Sequence, residues 1–381
     1  MTLPPLTFTN ARVLTPDGLG AAPLCVVKGQ IAPAPGRAGR EIDLSGFLIL
    51  PGIVDPHGDG FEHHMAPRRG AATDMGQGLQ AVEAELAANG ITTAMLAQFW
   101  SWEGGMRSPD FARALVAALR DHDARADLRV QLRLEIGLHE EFDAVLDFVA
   151  ANRIGHVVFN DHLPHRQLAA GKRVPRLEGQ ALKSGRSPAA HQALLQALHD
   201  GMGTARARLP ALCAGMQSQG VILGSHDDAT AAARETWRGL GARIAEFPTT
   251  REAADAARDA GDPIVMGAPN VVRGGSHDKR LPARELLDAG ACTALASDYH
   301  YPAPLGAARR LVAEGWPLER AWPLVSQAPA RLLGLTDRGV LSPGKRADLV
   351  VLDPGLSRVQ MTMAGGAVTY LAGPILSRVL A

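Results

Sequence analysis

Pro51-Gly52-Ile53-Val54-Asp55-Pro56-His57-Gly58-Asp59 is the stretch on which the fold turns. An extended chain sends successive side chains to opposite faces, so residues 53, 55, 57 and 59 share one face if the segment is a strand. It starts apolar and ends in an imidazole and a carboxylate one residue apart. That is a two-point ligand for a divalent metal at a strand end. Alone the pair is ambiguous, because a His-x-Asp in a Gly-rich turn also serves as a capping or hydrogen-bonded loop.

Working outward, apolar segments at 50–58, 91–98, 129–137, 155–161, 220–225, 242–247, 263–267 and 293–297 make eight candidate strands. Helical stretches alternate with them, the signature of βα units and a parallel sheet. Asn89-Gly90 closes the helix that starts near residue 74, and Ser108-Pro109 opens the next. Eight such units fit a closed (β/α)8 TIM barrel of class α/β; a doubly wound sheet with a second domain fits the same pattern. Residues 163–190, basic and interrupted by Gly and Pro, read as a long excursion over the barrel mouth.

The two ends behave differently. Leu6-Thr7-Phe8-Thr9, Leu24-Cys25-Val26-Val27 and Phe47-Leu48-Ile49-Leu50 are short β-like runs between Gly and Pro turns. The tail repeats the pattern in residues 346–353, 358–363 and 368–371, with a Gly365-Gly366 turn before the last. The ends are expected to complete one sheet together. The expected division is 1–49, the N-terminal part of a β-module; 50–338, the barrel; and 339–381, the C-terminal part.

Bulk composition excludes several classes. At 381 residues and 46% hydrophobic content the chain buries a large core, and its 39 basic and 39 acidic residues cancel. No global field points to nucleic acid or an anionic membrane, so a charged small molecule must be read by local clusters. Cys25, Cys213 and Cys292 lack CxxC spacing and sit among apolar neighbours, as reduced structural thiols of a cytoplasmic protein. The start, Met-Thr-Leu-Pro-Pro, lacks the basic and apolar regions of a signal peptide, and no apolar run approaches the roughly 20 residues that span a bilayer, so the expected location is the cytosol. Association into a homo-oligomer stays open.

Ligand-type residues recur at later strand ends: Glu135, His162, His226 and Asp298. Each has a plainer explanation. Glu135 fits a buried acid paired with Arg133, His162 a turn residue before Pro164, Asp227 or Asp228 a helix cap, and Asp298 another cap. Together they outweigh those readings, because barrel enzymes place their sites where strand after strand ends. Lys28, Lys172, Lys183, Lys279 and Lys345 all lie away from strand ends, so Glu135 is the best candidate for an anion bridging two metals. A second cluster, residues 267–280, joins glycines to Asn270, Arg273, Ser276, His277 and Lys279, donors suited to phosphate or phosphonate oxygens. A flexible solvated loop explains it equally well. Arg68, beside Arg69, adds to a basic rim.

The opening Pro51-Gly52-x-x-Asp55-Pro56-His57 and the closing Gly339-x-Leu341-x-Pro343-Gly344-Lys345-x-Ala347-Asp348 resemble the amidohydrolase superfamily. That resemblance implies a distorted (β/α)8 barrel flanked by a discontinuous small β-sandwich formed by both chain ends. Inner motifs resemble the PhnM family more narrowly, α-D-ribose 1-methylphosphonate 5-triphosphate diphosphatases of phosphonate metabolism. They are His57-x-Asp59, Phe61-Glu62-His63-His64-Met65, Asn160-Asp161-His162-x-Pro164, Ser225-His226-Asp227-Asp228, Gly267-Ala268-Pro269-Asn270 with Arg273-Gly274-Gly275-Ser276-His277, and Ser297-Asp298-Tyr299. The likeness spans essentially the whole chain. It implies two divalent cations, zinc or a substitute such as manganese or iron, held by His57, Asp59, Glu135, His162, His226 and Asp298. It also implies a metal-activated hydroxide, Asp298 as general base, and pyrophosphate release from a triphosphorylated ribose phosphonate. The chain departs from that family at Gly58 and Gly60, which stand for Thr and Asn, at Asp278-Lys279-Arg280, and at His300-Tyr301, which stands for Val-Pro. Those at 58–64 and 299–301 keep in view the same metals acting on a carbon–nitrogen bond, by cyclic amide hydrolysis or deamination; a metal-free barrel that only binds a phosphorylated metabolite is a separate alternative.

Overall fold

The computed structural model describes residues 4–33, 39–68, 71, 74–275 and 280–380. Eight strands, Ile53–Gly58, Ile91–Trp100, Asp127–Glu135, His156–Asn160, Ile222–His226, Ile244–Glu246, Ile264–Gly267 and Ala294–Ala296, follow one another in chain order across one sheet. A parallel bridge from Gly58 to Asp298 returns the end of the last strand to the first. The fold is a distorted (β/α)8 barrel with two further sheets built by the chain ends. The strands read as continuous apolar runs because a parallel sheet covered on both faces buries every residue, and all ten residues of Ile91–Trp100 are buried. Among the described residues, no helix is long and apolar enough to cross a membrane.

By compactness the chain divides into two units. The first comprises residues 1–96, 122–129 and 265–381. In it Leu48–Pro51 lies between Leu349–Leu352, antiparallel, and Arg12–Thr15, parallel, so both chain ends share a six-stranded sheet. Leu6–Thr9, Leu24–Val27, Gln30–Ala32 and Arg40–Asp43 form a separate four-stranded sheet. The apolar faces meet in a core that includes Phe8, Ile49, Leu349 and Met361. The expected strand over 50–58 is two strands. Leu48–Pro51 belongs to the end sheet and Ile53–Gly58 opens the barrel. Gly52 is the joint, where an added Cβ would lie 2.4 Å from the Thr92 hydroxyl oxygen, so only glycine fits.

The second unit comprises residues 97–121 and 130–264. Its parallel register sets Glu135 beside Asn160, and His226 beside Glu246. Leu132, Leu134, Val157, Phe159, Leu209 and Met216 belong to its core. Residues 163–190 are more ordered than their composition suggests, since they hold the helices His165–Ala169 and Leu177–Ser184 and the start of Pro188–Asp200. Gly171 and Gly185 have left-handed φ of 61° and 68° and fall outside the helices, Gly185 as a C-cap. Ser187 caps the third by accepting from the Ala190 amide, with Pro188 at its first position. Lys183, expected in a loop, lies on the second helix.

Candidate metal centre

In the first unit His57, Asp59 and Asp298 are brought together, with ligand atoms all within 4.8 Å of one another. Backbone does much of this. The Asp59 amide donates to the Asp298 carbonyl at 2.9 Å, and the Asp298 amide donates to the His57 carbonyl at 3.0 Å. Asp298 has φ of +57°, a left-handed conformation that costs an aspartate energy and collects at functional sites. It does not cap the following helix, since Ala303–Ala313 has Pro302 at its N-cap. Behind the group Asp55, fully buried, accepts from the Ser297 amide at 2.8 Å, from the Ser297 hydroxyl and from the His57 amide at 3.4 Å. Burial pushes the Asp55 carboxyl up, and these donors pull against it.

In the second unit His162, His226 and Asp227 form one ligand-capable group, and Glu103, Glu135 and His162 another. Glu135 is fully buried. One of its oxygens meets His162 Nδ1, while the other accepts from the His162 amide at 3.1 Å and Trp102 Nε1 at 3.3 Å. Burial alone would raise its carboxyl, yet the His162 contacts hold it below the usual range. For His162 burial works downward, and Glu135 more than reverses it, lifting the imidazole above its ordinary value. His226 is pushed down to about 4 by burial and then by the Arg133 guanidinium, so its ring is neutral near physiological pH, the form that binds metal.

Glu246 escaped sequence reasoning, and Asp227 entered it only as a helix cap and as part of a family motif. Glu246, 1% exposed, receives His226 Nδ1 at 2.8 Å and the Gln131 amide at 2.8 Å, the carboxylate support that orients metal-binding imidazoles. Its signal was available: an acid at the end of an otherwise apolar strand. Asp227 has φ of +61°, again left-handed and non-glycine. Asp228 is no cap, since Thr230 caps the next helix; it is buried and paired with Arg234 at 2.9 Å and Ser225 at 2.6 Å, bracing the strand that carries His226.

The expected phosphate cluster is only partly a loop. Ala268–Arg273 is a short helix that ends at Gly274, which has φ of +81°. Asn270 lies within this helix, and Arg273 at its end donates to the Tyr299 hydroxyl at 3.3 Å. Arg68 is exposed and bridges to Ala71. Ser276, His277 and Lys279 lie outside the described residues.

Carboxylates and imidazoles, several fully buried, suit a divalent cation of the zinc, manganese or iron class. Cys25, Cys213 and Cys292 are all buried and free, and burial pushes the Cys213 and Cys292 thiols up to about 12. The model of the amidohydrolase family matches residues 90–376. The chain belongs to that family. This amidohydrolase is 32% identical over 362 residues to the alpha-D-ribose 1-methylphosphonate 5-triphosphate diphosphatase of Escherichia coli strain K12, covering 91% of this chain and 94% of that one. Among solved structures it resembles a putative prolidase from Bifidobacterium longum, with TM-score 0.65, 16% identity and 100% of both chains covered. It also resembles N-acetylglucosamine-6-phosphate deacetylase from Pasteurella multocida, with TM-score 0.62, 14% identity, and 96% of this chain and 99% of that one covered. At such identities these structures speak for the fold alone. The chain is a hydrolase of PhnM type, and its described residues carry several groups able to hold metal.

Proposed function

We propose that this amidohydrolase cleaves a phosphoric anhydride in a triphosphorylated ribose phosphonate and releases pyrophosphate. The observation that carries the reading is 32% identity across nine-tenths of the chain to a diphosphatase of that substrate. His57, Asp59 and Asp298 would hold one cation, and His162 and His226, with Glu135 anchoring His162, a second. When bound, the cations, zinc or manganese or iron in its stead, supply Lewis acidity and a more acidic water. Asp298 accepts the proton of the attacking water as general base, and its strained backbone fixes where that carboxylate stands. Arg68, Asn270 and Arg273, with Ser276, His277 and Lys279, are the donors assigned to the phosphate and phosphonate oxygens. The site of action is assigned to the cytoplasm.

The alternative on carbon–nitrogen bonds rests on the departures in 58–64 and 299–301, among them Gly58, Gly60 and Tyr301. An added Cβ at Gly58 would lie 2.8 Å from the Tyr301 ring, and one at Gly60 3.1 Å from it, so the tyrosine fills room that larger residues would take. Tyr301 is 1% exposed. The departures therefore compensate one another beneath the ligands, which favours an unchanged reaction. The deciding assay loads the protein with zinc or manganese and offers ribose 1-methylphosphonate 5-triphosphate, ATP, cyclic amides and amino-substituted rings. Pyrophosphate from the first is expected. Turnover of amides alone would establish the alternative, and protein that holds no metal would leave only a binding role.

A further inference from the structure

Arg133 belongs to no expected ligand set, yet it occupies the same atom that a cation would use. It is 4% exposed, lies 3.9 Å above the centre of the Phe99 ring, and donates to Asn160 Oδ1 at 3.3 Å. Its Nη2 stands 2.9 Å from His226 Nε2. A guanidinium has donors and no acceptor, so this contact requires the lone pair on Nε2. The ring proton is then on Nδ1, where Glu246 Oε2 accepts it at 2.8 Å. A neutral imidazole has one lone pair, and a metal needs it.

We propose that Arg133 and the second cation compete for Nε2 of His226, so that loading this group displaces the guanidinium and Arg133 sets its metal affinity. The inference rests on the metal-dependent reading of the site. Five neighbours make the exchange workable. Glu246 keeps the ring proton on Nδ1 in both states, so the imidazole need not change tautomer. His162, whose ring centre is 6.0 Å from that of His226, is anchored through Nδ1 by Glu135 and need not move either. Phe99 and Asn160 retain the guanidinium after its release, because a cation over an aromatic face remains stabilised in a desolvated setting. Asp227, with an oxygen 3.9 Å from His226 Nε2, adds negative charge where the incoming cation arrives.

The test is a titration of metal-free wild-type protein, Arg133→Met and Arg133→Met with His226→Ala, using cobalt(II) absorption and elemental analysis for stoichiometry. Removing the charged donor is expected to tighten the weaker cobalt site at least about tenfold, the scale of one hydrogen bond to a charged group. The gain should vanish when His226 is also replaced. Equal or weaker binding by Arg133→Met overturns the competition while leaving metal dependence standing. Absence of cobalt binding in every variant overturns both. Should Arg133→Met fail to fold, 15N-histidine spectra of the metal-free wild type decide. A proton on Nδ1 of His226 with Nε2 accepting supports the exchange, and one on Nε2 refutes it.

Discussion

His57, Asp59 and Asp298 on one side, and His162, His226 and Asp227 on the other, are groups of similar composition held by different means. The first is locked by main chain: two amide-to-carbonyl bonds, which together make the bridge between Gly58 and Asp298, tie the first strand's end to Asp298. The second is held by side chains, with Glu135 on His162, Glu246 on His226, and Arg133 on the latter's remaining nitrogen. A backbone lock fixes position and allows little adjustment; side-chain supports permit tuning of charge and occupancy. Asp298→Asn gives the largest expected contrast. It keeps the backbone lock and removes the base, so turnover should fall at least about a hundredfold with the fold intact by circular dichroism. Near-normal turnover would take Asp298 out of its proposed role.

Glu246→Gln probes the other group. The amide can no longer accept as a carboxylate does, and losing such support typically costs about ten- to a hundredfold in metal affinity. Competition with a chelator should show one equivalent of metal lost early and the other retained. Equal loss of both equivalents would erase the distinction between the groups.

How much of this was legible beforehand follows from the same contrast. Strand ends could be read because buried parallel strands are rich in apolar residues, which makes a ligand-type residue closing such a run conspicuous, as at Ile222–His226. His57, Asp59 and Asp298 followed from that. The break at Gly52 was hidden inside a continuous apolar run, since the residues on both sides are buried in different sheets. Glu246 was visible as an acid ending Ile244–Glu246, but its role was not, because that comes from lying beside His226 in the register, which no spacing along the chain reveals. Sequence suggested Arg133 as a partner for Glu135, and its charge does act on Glu135; what sequence did not suggest is that its hydrogen bonds also reach Asn160 on the next strand and His226 on the one beyond. Residues 163–190 read as loop because Gly and Pro within a sequence usually break helices, whereas here Gly185 and Pro188 mark helix ends.

Gly58→Ala tests the rigidity of the locked group directly. The new methyl would meet Asp55 Oδ2 at 2.6 Å, Ser297 Oγ at 2.7 Å and the Tyr301 ring at 2.8 Å. Overpacking of this kind costs about 1–3 kcal/mol, read as a lower denaturant midpoint. An unchanged midpoint would mean that these side chains yield easily, and that the lock is looser than its hydrogen bonds imply.

Ser297→Ala is the mildest and most selective of these changes. Asp55 loses the hydroxyl donor but keeps the Ser297 amide at 2.8 Å, so its buried carboxylate is left short of one bond and not stripped of all of them. A deficit of that size costs about 1–2 kcal/mol. Because burial already pushes the Asp55 carboxyl up, removing a donor that opposes burial should favour its protonated form further, with no new charge brought to the ligands. Stability should therefore drop modestly while the metal equivalents stay at the wild-type number. A loss of metal larger than the loss of stability would show that Asp55 and Ser297 do more than brace the strand, and that the backbone lock depends on them for the placement of His57.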